Sequence, residues 1–67
     1  MNRDQLIRSI KKLAKKNGVN FEVDRSKGKG SHYWVEYGSK ATTIQKDLNP
    51  GRIERALKQL DIDPADI

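Results

Sequence analysis

The middle of the chain, residues 19–45, has the sequence VNFEVDRSKGKGSHYWVEYGSKATTIQ. Apolar and polar side chains alternate in three parts of it, residues 19–24, 32–37 and 41–45. This two-residue period is typical of half-buried strands, because successive side chains of a strand point to opposite faces. Short polar segments separate the three parts, and connections of this length join antiparallel neighbours. The stretch therefore predicts a three-stranded antiparallel sheet.

A helix is predicted on each side of this stretch. Over residues 3–16, apolar side chains recur every three or four positions after Asn2, a suitable N-cap, and form one apolar stripe. Residues 50–60 repeat the pattern, with Asn49 as N-cap and Pro50 as first helical residue. The order α-β-β-β-α predicts an α+β fold, a two-layer sandwich with both helices on one face of the sheet.

The orientation of the second strand decides which side chains are left outside the core. Side chains two residues apart share a face of a strand. The alternation leaves both orientations open, and in one of them Tyr33, Val35 and Tyr37 point toward the helices. His32 and Trp34 then lie on the free face, whereas the reverse orientation would bury both of them.

Charge is unevenly distributed along the chain, which carries +5 overall. Its first half, residues 1–34, contains nine Lys and Arg against three Asp and Glu. A basic half on a small domain favours a polyanionic partner, and nucleic acid is the commonest one. The alternative is a solvated surface that keeps the protein in solution.

Length and composition exclude several classes of protein. Residues 1–67 suffice for one small domain. With no Cys and one His, the chain lacks the ligands of a structural zinc site. No apolar run is long enough for a membrane span or a signal peptide. We therefore expect a cytoplasmic protein with no metal, no cofactor and no membrane partner.

His32 is the candidate catalytic residue. Histidine both accepts and releases a proton near neutral pH. Cleavage of RNA can use the substrate's own 2′-hydroxyl as nucleophile, which requires such a group and positive charge around the phosphorane. Lys27 and Lys29 supply that charge immediately before His32. The alternative is that His32 is an ordinary strand residue on the surface.

The residues around His32 are candidates for binding RNA. Gly28 and Gly30 have no side chains, so their backbone amides can approach a phosphate closely. Ser31 can bind phosphate or cap the loop. Trp34 can stack on a base, with core packing as its alternative. Glu36 can orient the imidazole or simply be solvated.

The chain resembles a known family at these positions. The segment 27–32, KGKGSH, followed by a hydrophobic strand and by Thr42-Thr43-Ile44, resembles the HicA toxins. These are small mRNA interferases of type II toxin–antitoxin systems. The helix within residues 49–62 resembles their closing helix, and the likeness covers about residues 4–62. Gln45 stands where many relatives have a proline, which affects the end of the strand.

The resemblance implies both a fold and an activity. The fold would be like that of a double-stranded-RNA-binding domain. His32 would be the catalytic residue of a metal-independent endoribonuclease acting on mRNA, and a HicB-like antitoxin would inhibit it. Two other functions stay open, namely a non-catalytic RNA-binding module of the same fold and a domain whose basic face binds an acidic protein.

Overall fold

The computed structural model describes residues 1–26 and 32–67. Its elements are, in chain order, α1 (Arg3–Asn17), β1 (Phe21–Asp24), β2 (Tyr33–Tyr37), β3 (Lys40–Ile44), α2 (Pro50–Gln59) and a closing 3₁₀ turn (Pro64–Asp66). The α+β class and the order α-β-β-β-α are therefore confirmed. Five residues predicted to bind RNA or phosphate lie outside the described residues, namely Lys27, Gly28, Lys29, Gly30 and Ser31.

Local side-chain hydrogen bonds fix the start of α1. The Asn2 side chain accepts a hydrogen bond from the Gln5 amide at 2.8 Å, and the Gln5 side chain accepts one from the Asn2 amide at 2.9 Å. This reciprocal capping box satisfies two amides that the helix leaves without partners. At the other end Gly18 adopts a φ of 65°, a left-handed conformation that suits glycine. The Val19 amide then donates to the Ala14 carbonyl.

The second helix begins at a similar cap. The Asn49 side chain accepts a hydrogen bond from the Arg52 amide at 2.8 Å, and Pro50 occupies the first turn, where no amide is needed. After α2, the Ile62 amide donates to the Leu57 carbonyl and returns the chain to the core. Ile62 is buried and Ile67 packs against the core, so both cover its edge.

The three strands form one antiparallel sheet in the order β1-β2-β3. β2 is central, and its register pairs Val35 with Val23 on one side and with Thr42 on the other. β1 is shorter than predicted, because the Val19 amide donates to the Ala14 carbonyl at the end of α1. The Asn20 carbonyl accepts a hydrogen bond from the Gly38 amide, just before β1 begins. Both limits of β2 and of β3 lie within one residue of the predicted limits.

Both helices pack on the same face of the sheet. The core joins Leu6 and Ile10 of α1, Leu57 of α2, and Val35 and Ile44 of the sheet, all at most 2% exposed. This burial decides between the two orientations of β2 that the sequence leaves open, because Val35 points inward.

The opposite face of β2 carries Trp34 and Glu36, which are half-buried. Neither helix of the described chain lies over this face, which we call the open face. Neither helix is long and apolar enough to cross a bilayer, in the part of the chain that the structure describes.

Candidate functional site

His32 lies one residue before β2, and its side chain is half-buried. It is not among the buried residues of the core. His32 directly precedes β2, and the alternation of side chains along that strand places His32 on the open face, the same face as Trp34. The imidazole is thus placed outside the packed interior, at the end of the sheet where residues 27–31 connect β1 to β2.

Trp34 lies on the open face of the central strand, near the end of the sheet that adjoins His32. Its Cα partners are Asp24 on β1 and Thr43 on β3. A shallow depression of about 480 Å³ lies beside it, and the carboxylates of Glu22, Asp24 and Glu36 contribute to its lining. An indole in this position offers a surface for a base, but the surrounding carboxylates repel phosphate groups.

Asp24 is the carboxylate closest to His32 in the strand register. Diagonal neighbours on one face of an antiparallel pair lie about 7–8 Å apart, and Asp24 is diagonal to His32 because its direct partner is Trp34. Its side chain accepts hydrogen bonds from the Ser26 amide at 2.9 Å and the Ser26 hydroxyl at 2.8 Å, which fixes the turn after β1. Glu36 is four residues from His32, about 13 Å along a strand, and is too far to orient the imidazole.

Two arginines lie near the ring of Tyr33 on the helix side of the sheet. The Arg3 guanidinium carbon is 3.6 Å from the ring centroid, and that of Arg25 is 5.5 Å away. Both distances are within the range of cation–π contacts. The Tyr33 ring therefore contacts arginine side chains on the helix side of the sheet.

A groove separates α1 from β1, at one edge of the sheet. It has a volume of about 690 Å³, and Arg8, Lys11 and Arg25 contribute to its lining. Asp4 and Glu22 lie in the same groove, so its cations are largely offset by carboxylates.

A second groove separates β3 from α2, at the other edge of the sheet. We call it the β3–α2 groove; it has a volume of about 330 Å³ and includes Arg52, Arg55, Gln45 and Gln59. No Asp or Glu lines it among the residues that the structure describes. Its edge toward the open face is Thr43, the Cα partner of Trp34.

The sequence predicted some of these residues as functional and missed others. His32 and Trp34, both predicted, lie on one face at one end of the sheet. Arg52 and Arg55 were missed, although their three-residue spacing on a helix indicates a shared face. The contact between Arg3 and Tyr33 spans thirty positions, and no local pattern indicates it.

The arrangement offers an imidazole where the open face meets the end of the central strand, a position that we call the corner, with an aromatic surface beside it and an arginine-lined groove nearby. Such a corner can hold a phosphodiester and move a proton at one of its oxygens. In the described part of the chain, no three His, Asp or Glu side chains cluster as metal ligands would. Comparison of the chain with protein-family models, curated proteins and solved structures gave no match.

Proposed function

We propose that the protein is a metal-independent endoribonuclease that uses His32 as its proton-transfer group. The proposal extends to a toxin of the HicA type, an mRNA interferase whose domain is like a double-stranded-RNA-binding domain. A HicB-like antitoxin would inhibit it by covering the same corner. The observation that carries the proposal is the placement of the only histidine outside the core, directly after the basic segment 27–31.

The chemistry needs one proton acceptor and local positive charge. His32 removes the proton of a 2′-hydroxyl, and the 2′-oxygen forms a bond to the adjacent phosphorus while the bond from phosphorus to the 5′-oxygen breaks. A solvent proton completes the departing 5′-hydroxyl, so the products are a 2′,3′-cyclic phosphate and a 5′-hydroxyl end. Lys27, Lys29 and the amides of Gly28, Gly30 and Ser31 are proposed to stabilise the charge on the phosphorane.

Charge around the corner supports an RNA substrate. Arg25 follows β1 immediately, and the basic segment 27–31 extends from there to His32. Trp34 gives the same corner an aromatic surface, and single-stranded RNA is recognised largely by stacking of unpaired bases. Arg25 lines the depression beside Trp34, and a cation next to an aromatic surface fits a single strand, whose phosphates and bases are both accessible.

The test compares His32→Ala with the wild type on a labelled single-stranded RNA, with EDTA present. Proton transfer by one side chain contributes about 10²–10⁴-fold to a rate, so we expect His32→Ala to lose at least about 100-fold. The wild type should leave 2′,3′-cyclic phosphate ends and should not cut DNA of the same sequence, which lacks the nucleophile. Induced expression of the wild type should arrest bacterial growth, and expression of the variant should not.

The matched control is Lys40→Ala, an exposed substitution at the opposite end of the sheet, purified in parallel. It should cleave like the wild type, so that loss of cleavage in His32→Ala alone would be specific to His32 and would also argue against a contaminating nuclease. Equal cleavage by His32→Ala, with its fold verified by circular dichroism, would show that His32 is not the catalytic group. Binding of RNA without cleavage by the wild type would favour the non-catalytic RNA-binding module instead.

A further inference from the structure

We infer that the β3–α2 groove binds the phosphate backbone of the RNA strand next to the nucleotides at His32. This inference rests on the proposed function, since it concerns the same substrate. The inference goes beyond the proposed function by assigning a binding role to Arg52 and Arg55, which lie outside the corner that contains His32.

The groove begins next to His32. β2 and β3 are antiparallel, with Trp34 opposite Thr43 and Tyr33 opposite Ile44. One step further along this register brings Gln45 beside His32. Since Thr43 and Gln45 both line the groove, a strand leaving the imidazole can enter it without crossing the open face.

Two of the donors in the groove, Arg52 and Gln59, are held in place by bonds to the fold. The Arg52 guanidinium donates to the Asp47 carbonyl at 2.8 Å, which uses one of its five N–H groups and orients the rest. The Thr42 hydroxyl donates to the side-chain oxygen of Gln59, so the Gln59 amide keeps both N–H groups for another partner. Arg55 is exposed one turn after Arg52. Positioned donors without neighbouring carboxylates are suited to phosphate oxygens.

The depressions along the other edge of the sheet are less suited to a polyanion. Those beside β1 each contain two or three carboxylates, from Asp4, Glu22, Asp24 and Glu36. At close range each carboxylate offsets the attraction of one cation for a phosphate. The β3–α2 groove retains the full effect of its two arginines, although it is the smaller of the two grooves.

The test measures RNA affinity as a function of salt in a non-cleaving His32→Ala background. We compare Arg52→Gln/Arg55→Gln with the matched pair Arg8→Gln/Lys11→Gln. The second pair also removes two positive charges, but from the groove between α1 and β1. Each lost contact to a single strand lowers the slope of log K against log salt by about 0.7, so the first pair should lose about 1.4. Its affinity should fall roughly tenfold for each arginine, and the second pair should change much less.

Several outcomes would overturn the inference. Equal losses in both pairs would mean that net charge alone attracts RNA, and no loss in the first pair would place the strand elsewhere. Competition by poly-glutamate as effective as that by RNA of equal charge would show that the groove binds any polyanion. The single variant Arg55→Gln keeps the contact between Arg52 and the Asp47 carbonyl. It therefore tests the inference even if the double variant Arg52→Gln/Arg55→Gln fails to fold.

Failure of the inference is distinguishable from failure of the proposed function. If the wild type cleaves RNA and needs His32, but Arg52→Gln/Arg55→Gln binds RNA normally, the inference alone is wrong. If the wild type neither binds nor cleaves RNA, both are wrong. In the cleaving protein, Arg52→Gln/Arg55→Gln should raise KM and leave kcat nearly unchanged, because the inference assigns both arginines to nucleotides next to the scissile bond and not to the bond itself.

Discussion

Replacing Val35 with alanine tests the sheet orientation on which the site depends. Val35 is 0% exposed, lies on the central strand and faces both helices. Removing two buried methyl groups costs about 1.6 kcal/mol at about 0.8 kcal/mol each. The remaining cavity adds about 1 kcal/mol at about 24 cal/mol per Å³. We therefore expect a loss of about 2–3 kcal/mol, a large part of the roughly 3–10 kcal/mol typical of a domain of this size.

The measurement is urea unfolding followed by circular dichroism, with thermal unfolding as a second method. The melting temperature should fall by roughly 10–20 °C, at about 4–8 °C per kcal/mol for a small domain. The matched control is Thr43→Ala, which also removes a β-branched side chain but from an exposed position on the open face. It should change stability by less than about 0.5 kcal/mol. If Val35→Ala were as mild as Thr43→Ala, the inner face would be misassigned and His32 would belong to the interior.

Two further substitutions examine local contacts around the core and the site. Asn49→Ala removes the cap that accepts a hydrogen bond from the Arg52 amide, and it should lower the free energy of unfolding in urea by about 1 kcal/mol. Asn49→Asp is the control and should be nearly neutral, because aspartate caps a helix equally well. Equal losses in both variants would contradict a capping role. Asp24→Asn removes the charge diagonal to His32, and if that carboxylate positions the imidazole, kcat should fall and its pH profile should move. A change in stability alone, with an unaltered pH profile, would limit Asp24 to the turn that it forms with Ser26.

Local sequence patterns predicted most of the fold because the interactions behind them are local. The caps at Asn2 and Asn49 involve residues three positions apart, and both form as expected. Alternation along β2 predicted that Tyr33, Val35 and Tyr37 share one face, but the two-residue period does not show which face is buried. Val19 is the exception. Its side chain fits the alternation of β1, but the end of α1 uses its amide, and this competition is not visible in a pattern of side chains.

The surroundings of the site were less predictable because they depend on contacts between distant segments. The spacing of Arg52 and Arg55 shows that they share one side of α2. Whether that side meets the edge of β3 depends on the rotation of the helix about its axis, which the packing of Leu57 determines. Likewise, the position of Arg3 over Tyr33 depends on where α1 crosses the sheet.

The charges of the two faces limit how a polyanion can approach. Glu22 and Glu36 are direct Cα partners on the open face, an arrangement that costs stability because like charges repel. With Asp24 they give that face three carboxylates, so an RNA strand laid across it would meet repulsion at successive phosphates. The Lys and Arg residues of the described chain lie mostly in the two helices instead, and Arg25 follows β1 directly. Under the proposed function, a phosphate avoids most of the carboxylates of the open face by binding at its end next to Arg25, and His32 stands there.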